Sequence, residues 1–223
     1  MSRLPDEAGK ATLRAYRHAP RGDRFHVAVR WFSCPFPPIA DALPQTGRIL
    51  EIGCGHGLFS SYLARRCPSL EVHGVDIDES KVAVAQAAEA PATGHLTFAA
   101  SPSGAIPDGP WDGIVLVDVL YLLDEAGQRA LLTACAGALA PEGVLVVKDM
   151  AIRPRWKARW NALQETLSVR ILKITAGSPT FVFTDQEERA RWLVEAGLRD
   201  VHGRRLDRGR IHPHHLLMGR AAG

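Results

Sequence analysis

The chain is 223 residues long and 46% hydrophobic, with a formal net charge of +3; this suits one soluble globular α/β domain with an ample core. Its longest apolar run, residues 114–123, is too short to cross a bilayer and contains Asp118, while Arg3, Asp6, Glu7 and Lys10 break up any secretory pattern. Cys34, Cys54, Cys67 and Cys135 show neither metal-type pairing nor a disulfide framework, so no metal is expected and a reducing cytoplasm is the expected compartment.

Residues 4–43 are rich in rings (Tyr16, His18, His26, Trp31, Phe36), and Pro35, Pro37 and Pro38 stop any long helix there. Residues 48–53 then read as a buried parallel strand and residues 58–66 as the helix that follows it. Between them lies Glu51-Ile52-Gly53-Cys54-Gly55-His56-Gly57. Glycines at such a turn let the backbone fold tightly and let a ligand lie against bare main chain, facing the free N–H groups of the helix N-terminus. A dinucleotide fingerprint would need glycine where Leu58 stands. Glu51, at the strand end, would repel a phosphate and attract an ammonium group. A strand–turn–helix without a ligand is the plain structural alternative.

The Glu-x-Gly-x-Gly-x-Gly pattern resembles motif I of class I S-adenosylmethionine (SAM) dependent methyltransferases. The resemblance implies a Rossmann-like α/β fold: a seven-stranded, mostly parallel sheet with helices on both faces and a C-terminal antiparallel strand pair. It implies SAM as cofactor, with Glu51, Gly53, Cys54, Gly55 and Gly57 around its amino-acid tail. It also implies that residues 1–47 fold as a lid over the SAM site; a structural cap over the sheet is the competing reading.

Residues 72–78 form a second short apolar strand ending in acids. Asp76 falls about twenty residues past the glycines, where an acid can accept both ribose hydroxyls. It could instead cap the helix at 79–90, although Asp78 or Ser80 could do that equally well. The resemblance assigns Asp76 to the SAM ribose and Ile77 to the adenine. Residues 96–101 read as strand three. Its end carries Ala100 and Ser101 where the family often has an aspartate for the adenine amino group.

Residues 111–121 are apolar enough for a strand buried on both faces. Asp118 interrupts it and needs a partner or a ligand, because an unpaired buried carboxylate costs several kcal/mol. In the resembled family this is motif IV, beside the transferred methyl. Asp112 is expected to cap a turn or pair at the surface. A helix is expected over 124–139 with Asp124 as N-cap. Pro141-Glu142-Gly143 then turns into strand five at 144–149. The resemblance covers residues 48–150, the SAM-binding half of a single domain spanning 1–223.

Residues 151–223 are expected to form the acceptor-side half. Residues 1–150 carry thirteen basic and seventeen acidic side chains, and residues 151–223 carry fourteen and seven. This asymmetry suggests an anionic group, a lipid surface or an acyl carrier as partner, or simply a solvated basic face. Arg153, Arg155, Lys157 and Arg159 alternate with Trp156 and Trp160 at the start of an expected amphipathic helix. Residues 168–183 fit no plain repeat and read as an insertion or lid. Thr184-Asp185-Gln186-Glu187 has the form of a capping box opening a helix at 185–196, ended by Gly197. Residues 201–206 and 211–218 then read as the final hairpin. His212, His214 and His215 alternate across a strand rather than forming a ligand set.

Methyl transfer from a sulfonium needs alignment and exclusion of water; a base matters only for an acceptor that loses a proton of high pKa. Tyr121, His26, His212 and His214 are the candidates for that role. The expected function is methyl transfer to a small-molecule acceptor, lipid-like or anionic, with O-methylation the first choice. RNA methylation and a catalytically silent SAM-binding protein are the alternatives. Nucleic acid is not the expected partner, because Asp118-Val119-Leu120-Tyr121 lacks the Asn/Asp-Pro-Pro-aromatic motif of exocyclic amine methylation and no nucleic-acid module is visible.

Overall fold

The computed structural model describes residues 4–92, 94–101, 105–150, 182, 184–206 and 214–223. One seven-stranded sheet organises them, in the order β3-β2-β1-β4-β5-β7-β6. Strands β1 (Gly47–Ile52), β2 (Leu70–Asp76), β3 (His95–Ala100), β4 (Trp111–Val117) and β5 (Leu139–Met150) run parallel. Strand β7 (His214–Arg220) is antiparallel to both β5 and β6 (Arg199–Arg205). This is the mostly parallel sheet with an antiparallel pair that the sequence implied.

The central strands are largely apolar because both faces are covered. Successive side chains point to opposite sides, so β4 sends Val115 and Val117 into one core and Ile114 and Leu116 into the other. On the first face pack α1 (Glu7–Ala15), α2 (Arg21–Ser33), α3 (Phe36–Ala40) and α4 (Leu58–Arg66), through Tyr16, Trp31, Phe36 and Tyr62 among others. On the second face lie α6 (Glu125–Ala138) and α7 (Gln186–Glu195), which contribute Leu132, Cys135, Trp192 and Leu193. Helix α5 (Glu79–Ala87) follows β2 and buries Val82 and Ala85. The prolines act as expected: Pro37 and Pro38 sit in the first turn of the short α3, where a missing N–H costs nothing.

Several local expectations need correction. Strand β4 ends at Val117 rather than at 121, because Asp118 takes a left-handed backbone (φ 60°) and Leu120–Leu122 coil into a 3-10 turn. Strand β5 starts at Leu139, where pairing with Trp111 extends the ladder past the Pro141–Gly143 turn. The α7 cap is Asp185, which accepts the Glu187 N–H at 3.0 Å. Thr184 is buried instead, and its hydroxyl donates to the Gln128 side chain at 3.0 Å. Asp78 caps α5, accepting the Ser80 and Lys81 N–H groups. The insertion at 168–183 falls almost entirely outside the described residues. So do the basic stretch 153–159 with Trp156 and Trp160, and His212.

Candidate cofactor and acceptor site

The glycine turn after β1 is tied to the end of β2. Gly53 and Cys54 both donate to the Val75 carbonyl, at 2.8 and 3.0 Å. The Asp76 carboxylate accepts the Gly55 N–H at 2.7 Å through Oδ2 and the Asp78 N–H at 2.9 Å through Oδ1. Asp76 therefore shapes the turn as well as facing it. Each of its oxygens keeps a second lone pair, so ribose hydroxyls can still be accepted. Gly57, at φ 73°, caps α4, and a Cβ there would run into the Phe98 ring. At Gly53 a Cβ would meet Val119. The turn thus needs glycine for its conformation and for close packing alike.

Glu51 lies beneath this turn, 3% exposed. Its Oε2 accepts the Ser60 N–H at 3.0 Å and the Ser60 hydroxyl, joining the strand end to the first turn of α4. Burial pushes its pKa up to about 8, against the lowering effect of the Ser60 hydrogen bonds. At neutral pH the cofactor-free protein holds Glu51 largely as the acid.

The partner that Asp118 needs comes from two places. Lys148 Nζ donates to both carboxylate oxygens, at 2.6 and 2.7 Å, from the neighbouring strand end. Arg30 Nη1 donates to Oδ2 at 2.6 Å from α2. The side chains of Lys148, Asp118 and Arg30 are 1%, 6% and 31% exposed. Burial alone would raise the Asp118 pKa, but the charges of Lys148 and Arg30 outweigh it and hold the group ionised, well below the usual carboxylate range. The trio carries one surplus positive charge, and Arg30 is its most exposed member.

Helices α1 and α2 close over the turn. The Tyr16 hydroxyl donates to the His56 carbonyl at 2.7 Å. The His26 and His56 rings lie 4.7 Å apart, and His56 Nε2 is 3.4 Å from Asp23 Oδ1. His26 loses hydration where its ring packs, and this, with the nearby His56, Arg30 and Lys81, lowers its pKa to about 4. Burial likewise lowers the His56 pKa, against the opposing pull of Asp23.

The remaining expected site residues are spread around the strand ends. Ile77 stands beside Asp76 and is 67% exposed, an unusual setting for a large apolar side chain. Ala100 ends β3, and Ser101 donates its hydroxyl to the Ala105 carbonyl at 2.9 Å and its N–H to the Asp76 carbonyl at 2.8 Å. Tyr121 lies in the 3-10 turn past Asp118, with its carbonyl bonded to the Val182 N–H. His214 is buried in β7, opposite Met150.

Sequence reasoning missed Lys148, Arg30 and Tyr16 as site-building groups. Lys148 carried a usable signal: it interrupts an apolar strand just as Asp118 does, and two opposite charges on neighbouring buried strands call for each other. Arg30 carried none, since it lies 88 residues from Asp118 in sequence.

These residues fit SAM. The sheet order reverses between β1 and β4, and ligands of open α/β sheets lie at such a switch point beyond the strand ends. Glu51 offers an acid for the ammonium group, Asp76 an acceptor for the ribose, and Ile77 an exposed apolar side chain for a flat base.

Comparison with known proteins agrees. A family model described as a methyltransferase domain matches residues 29–202. A trans-aconitate 2-methyltransferase of Pseudomonas aeruginosa is 34% identical over 117 residues, covering 52% of this chain and 39% of that protein. A ubiquinone biosynthesis O-methyltransferase of Caulobacter is 36% identical over 112 residues, covering 46% of this chain and 40% of that one. The chain thus spans about two fifths of the length of these relatives. Among solved structures, human N-acetylserotonin methyltransferase in complex with SAM superimposes with a TM-score of 0.68 at 17% identity, over 99% of this chain and 61% of that one.

Proposed function

Because the chain belongs to the class I methyltransferase family, we propose that it transfers the methyl group of SAM to an oxygen of a small acidic acceptor. The observation that carries this reading is the glycine turn pinned to Asp76, with Arg30 of α2 and Lys148 of β5 meeting at Asp118 beside it. SAM, when bound, supplies an already activated methyl, so the work left to the chain is positional. Asp76 and Glu51 hold the cofactor. Tyr16, Asp23 and His26 keep α1 and α2 against the turn and exclude water. Arg30, partly open to solvent, steers an anionic group of the acceptor toward the β4 end. A carboxylate or phenolate oxygen is already a nucleophile and needs no strong base, which matches a His26 that binds its proton weakly. Two relatives favour the same reading: one is named for trans-aconitate and the other for O-methylation.

Calorimetric titration with SAM tests the cofactor half. Asp76→Ala removes two charge-assisted acceptors and is expected to weaken SAM roughly 10- to 100-fold, with Asp76→Asn intermediate. Release of S-adenosylhomocysteine across a panel of small carboxylic acids and phenols tests the acceptor half. A folded protein that binds no SAM refutes the whole reading. Turnover on amines alone refutes the acidic oxygen acceptor and leaves the cofactor site standing.

A further inference from the structure

Helix α2 has three faces. Val27 and Trp31 are buried in the core, and His26 and Arg30 point to the site. The third face is apolar and partly exposed: Phe25, Val29 and Phe32, spaced i, i+4 and i+7, are 72%, 49% and 52% exposed. They make up three of the seven exposed large apolar side chains among the described residues, so the stripe is a cluster rather than scatter. Arginines flank its Phe25 end. A cavity of about 720 Å³ opens between α1 and α2, with Arg14, Arg17, Arg21, Arg24, Leu13 and Phe25 in its wall. Arg17 pairs with Glu89 at 2.7 Å, whereas Arg21 and Arg24 enter no ion pair with any described residue. Residues 1–34 hold seven basic and three acidic side chains, an excess that division of the chain at residue 150 conceals.

From this face we infer that the protein docks on anionic lipid bilayers through α1 and α2. Its charge pattern selects the occupant. A helix that lies in a bilayer interface inserts aromatic side chains into the acyl boundary and sets arginines among the lipid phosphates. The cavity between the helices is large enough to admit a headgroup, and guanidinium forks match phosphate oxygens. Nothing in this inference depends on the methyl acceptor or on SAM.

Sedimentation of the full chain with sucrose-loaded vesicles tests it. Vesicles of phosphatidylcholine with one third phosphatidylglycerol are compared with phosphatidylcholine alone. Binding is expected to the anionic vesicles only and to weaken with salt. Each arginine at a bilayer surface contributes roughly fivefold, so Arg21→Ala/Arg24→Ala is expected to lose about 25-fold. Phe25→Ser/Phe32→Ser is expected to lose binding that salt does not remove. Both variants are expected to keep the circular dichroism spectrum and melting temperature of the parent, which shows that they are folded. Absence of binding to anionic vesicles overturns the inference. Undiminished binding by both variants overturns it too, and moves the contact to the basic C-terminal third. A dimer in lipid-free solution that Phe25→Ser/Phe32→Ser dissociates would give the face to a second copy instead.

Discussion

Substitution of Glu51 by glutamine separates the cost of the site from its use. In the cofactor-free fold the Glu51 pKa rises from 4.5 to about 8, because burial disfavours the ionised form. A carboxyl with a raised folded-state pKa binds more protons folded than unfolded between those two values. Stability is therefore highest below pH 4.5 for this group and falls as pH rises through 8. The full loss is bounded by roughly 5 kcal/mol, a large share of the 5–15 kcal/mol that holds a typical domain together. The glutamine amide would keep an acceptor for the Ser60 donors and carry no charge. Urea denaturation followed by circular dichroism from pH 5 to pH 9 is the assay. Parent and Glu51→Gln are expected to be nearly equal at pH 5 and to diverge as pH rises, with the variant more stable by several kcal/mol at pH 9. SAM affinity moves the other way. An ammonium group beside Glu51 favours the carboxylate, so binding near pH 7 is expected to release most of one proton, measurable by calorimetry in buffers of different ionisation enthalpy. The variant loses that release along with affinity. A stability difference that stays flat from pH 5 to pH 9 would refute the reasoning.

Lys148→Met leaves Asp118 buried with Arg30 alone and is expected to cost about 3 kcal/mol in urea denaturation, with Asp118→Asn/Lys148→Met recovering part of that loss. Tyr16→Phe removes one hydrogen bond to the His56 carbonyl and is expected to cost about 1 kcal/mol and to raise the SAM dissociation constant. His26 has its folded-state pKa lowered to about 4, so its contribution is present above pH 6.5 and lost as pH falls toward 4. His26→Gln is expected to flatten the acid limb of the stability profile in that window, and an unchanged limb would show that the ring is hydrated like a free histidine.

Much of the fold follows from local chemistry. The α4 bounds, the Asp124 and Asp78 caps and the five parallel strands all follow from short-range rules: apolar runs, a capping carboxylate, a glycine that alone tolerates a left-handed backbone. The Glu51 to Gly57 spacing and the acid at Asp76 are local in the same sense, which is why the cofactor was legible before any packing was known. Strand β4 was read too long because Val119 through Tyr121 are as apolar and β-compatible as the residues before Asp118. The left-handed backbone at Asp118, a conformation aspartate tolerates better than most residues, ends the strand without a change in hydrophobic pattern after it.

What the sequence by itself determined is the order of the elements, the two-sided burial of the sheet and the loop that suits SAM. The tertiary structure alone decided how charges are shared. It brought Arg30, Asp118 and Lys148 together, committed Glu51 to Ser60 rather than leaving it open, set the His26 ring beside His56, and exposed the Phe25 face of α2. The reason is physical: backbone preference and hydrophobic periodicity act within a few residues and are written in order along the chain. The electrostatics of a buried site depend on groups far apart in sequence, and on a loss of hydration that exists only once the chain has packed.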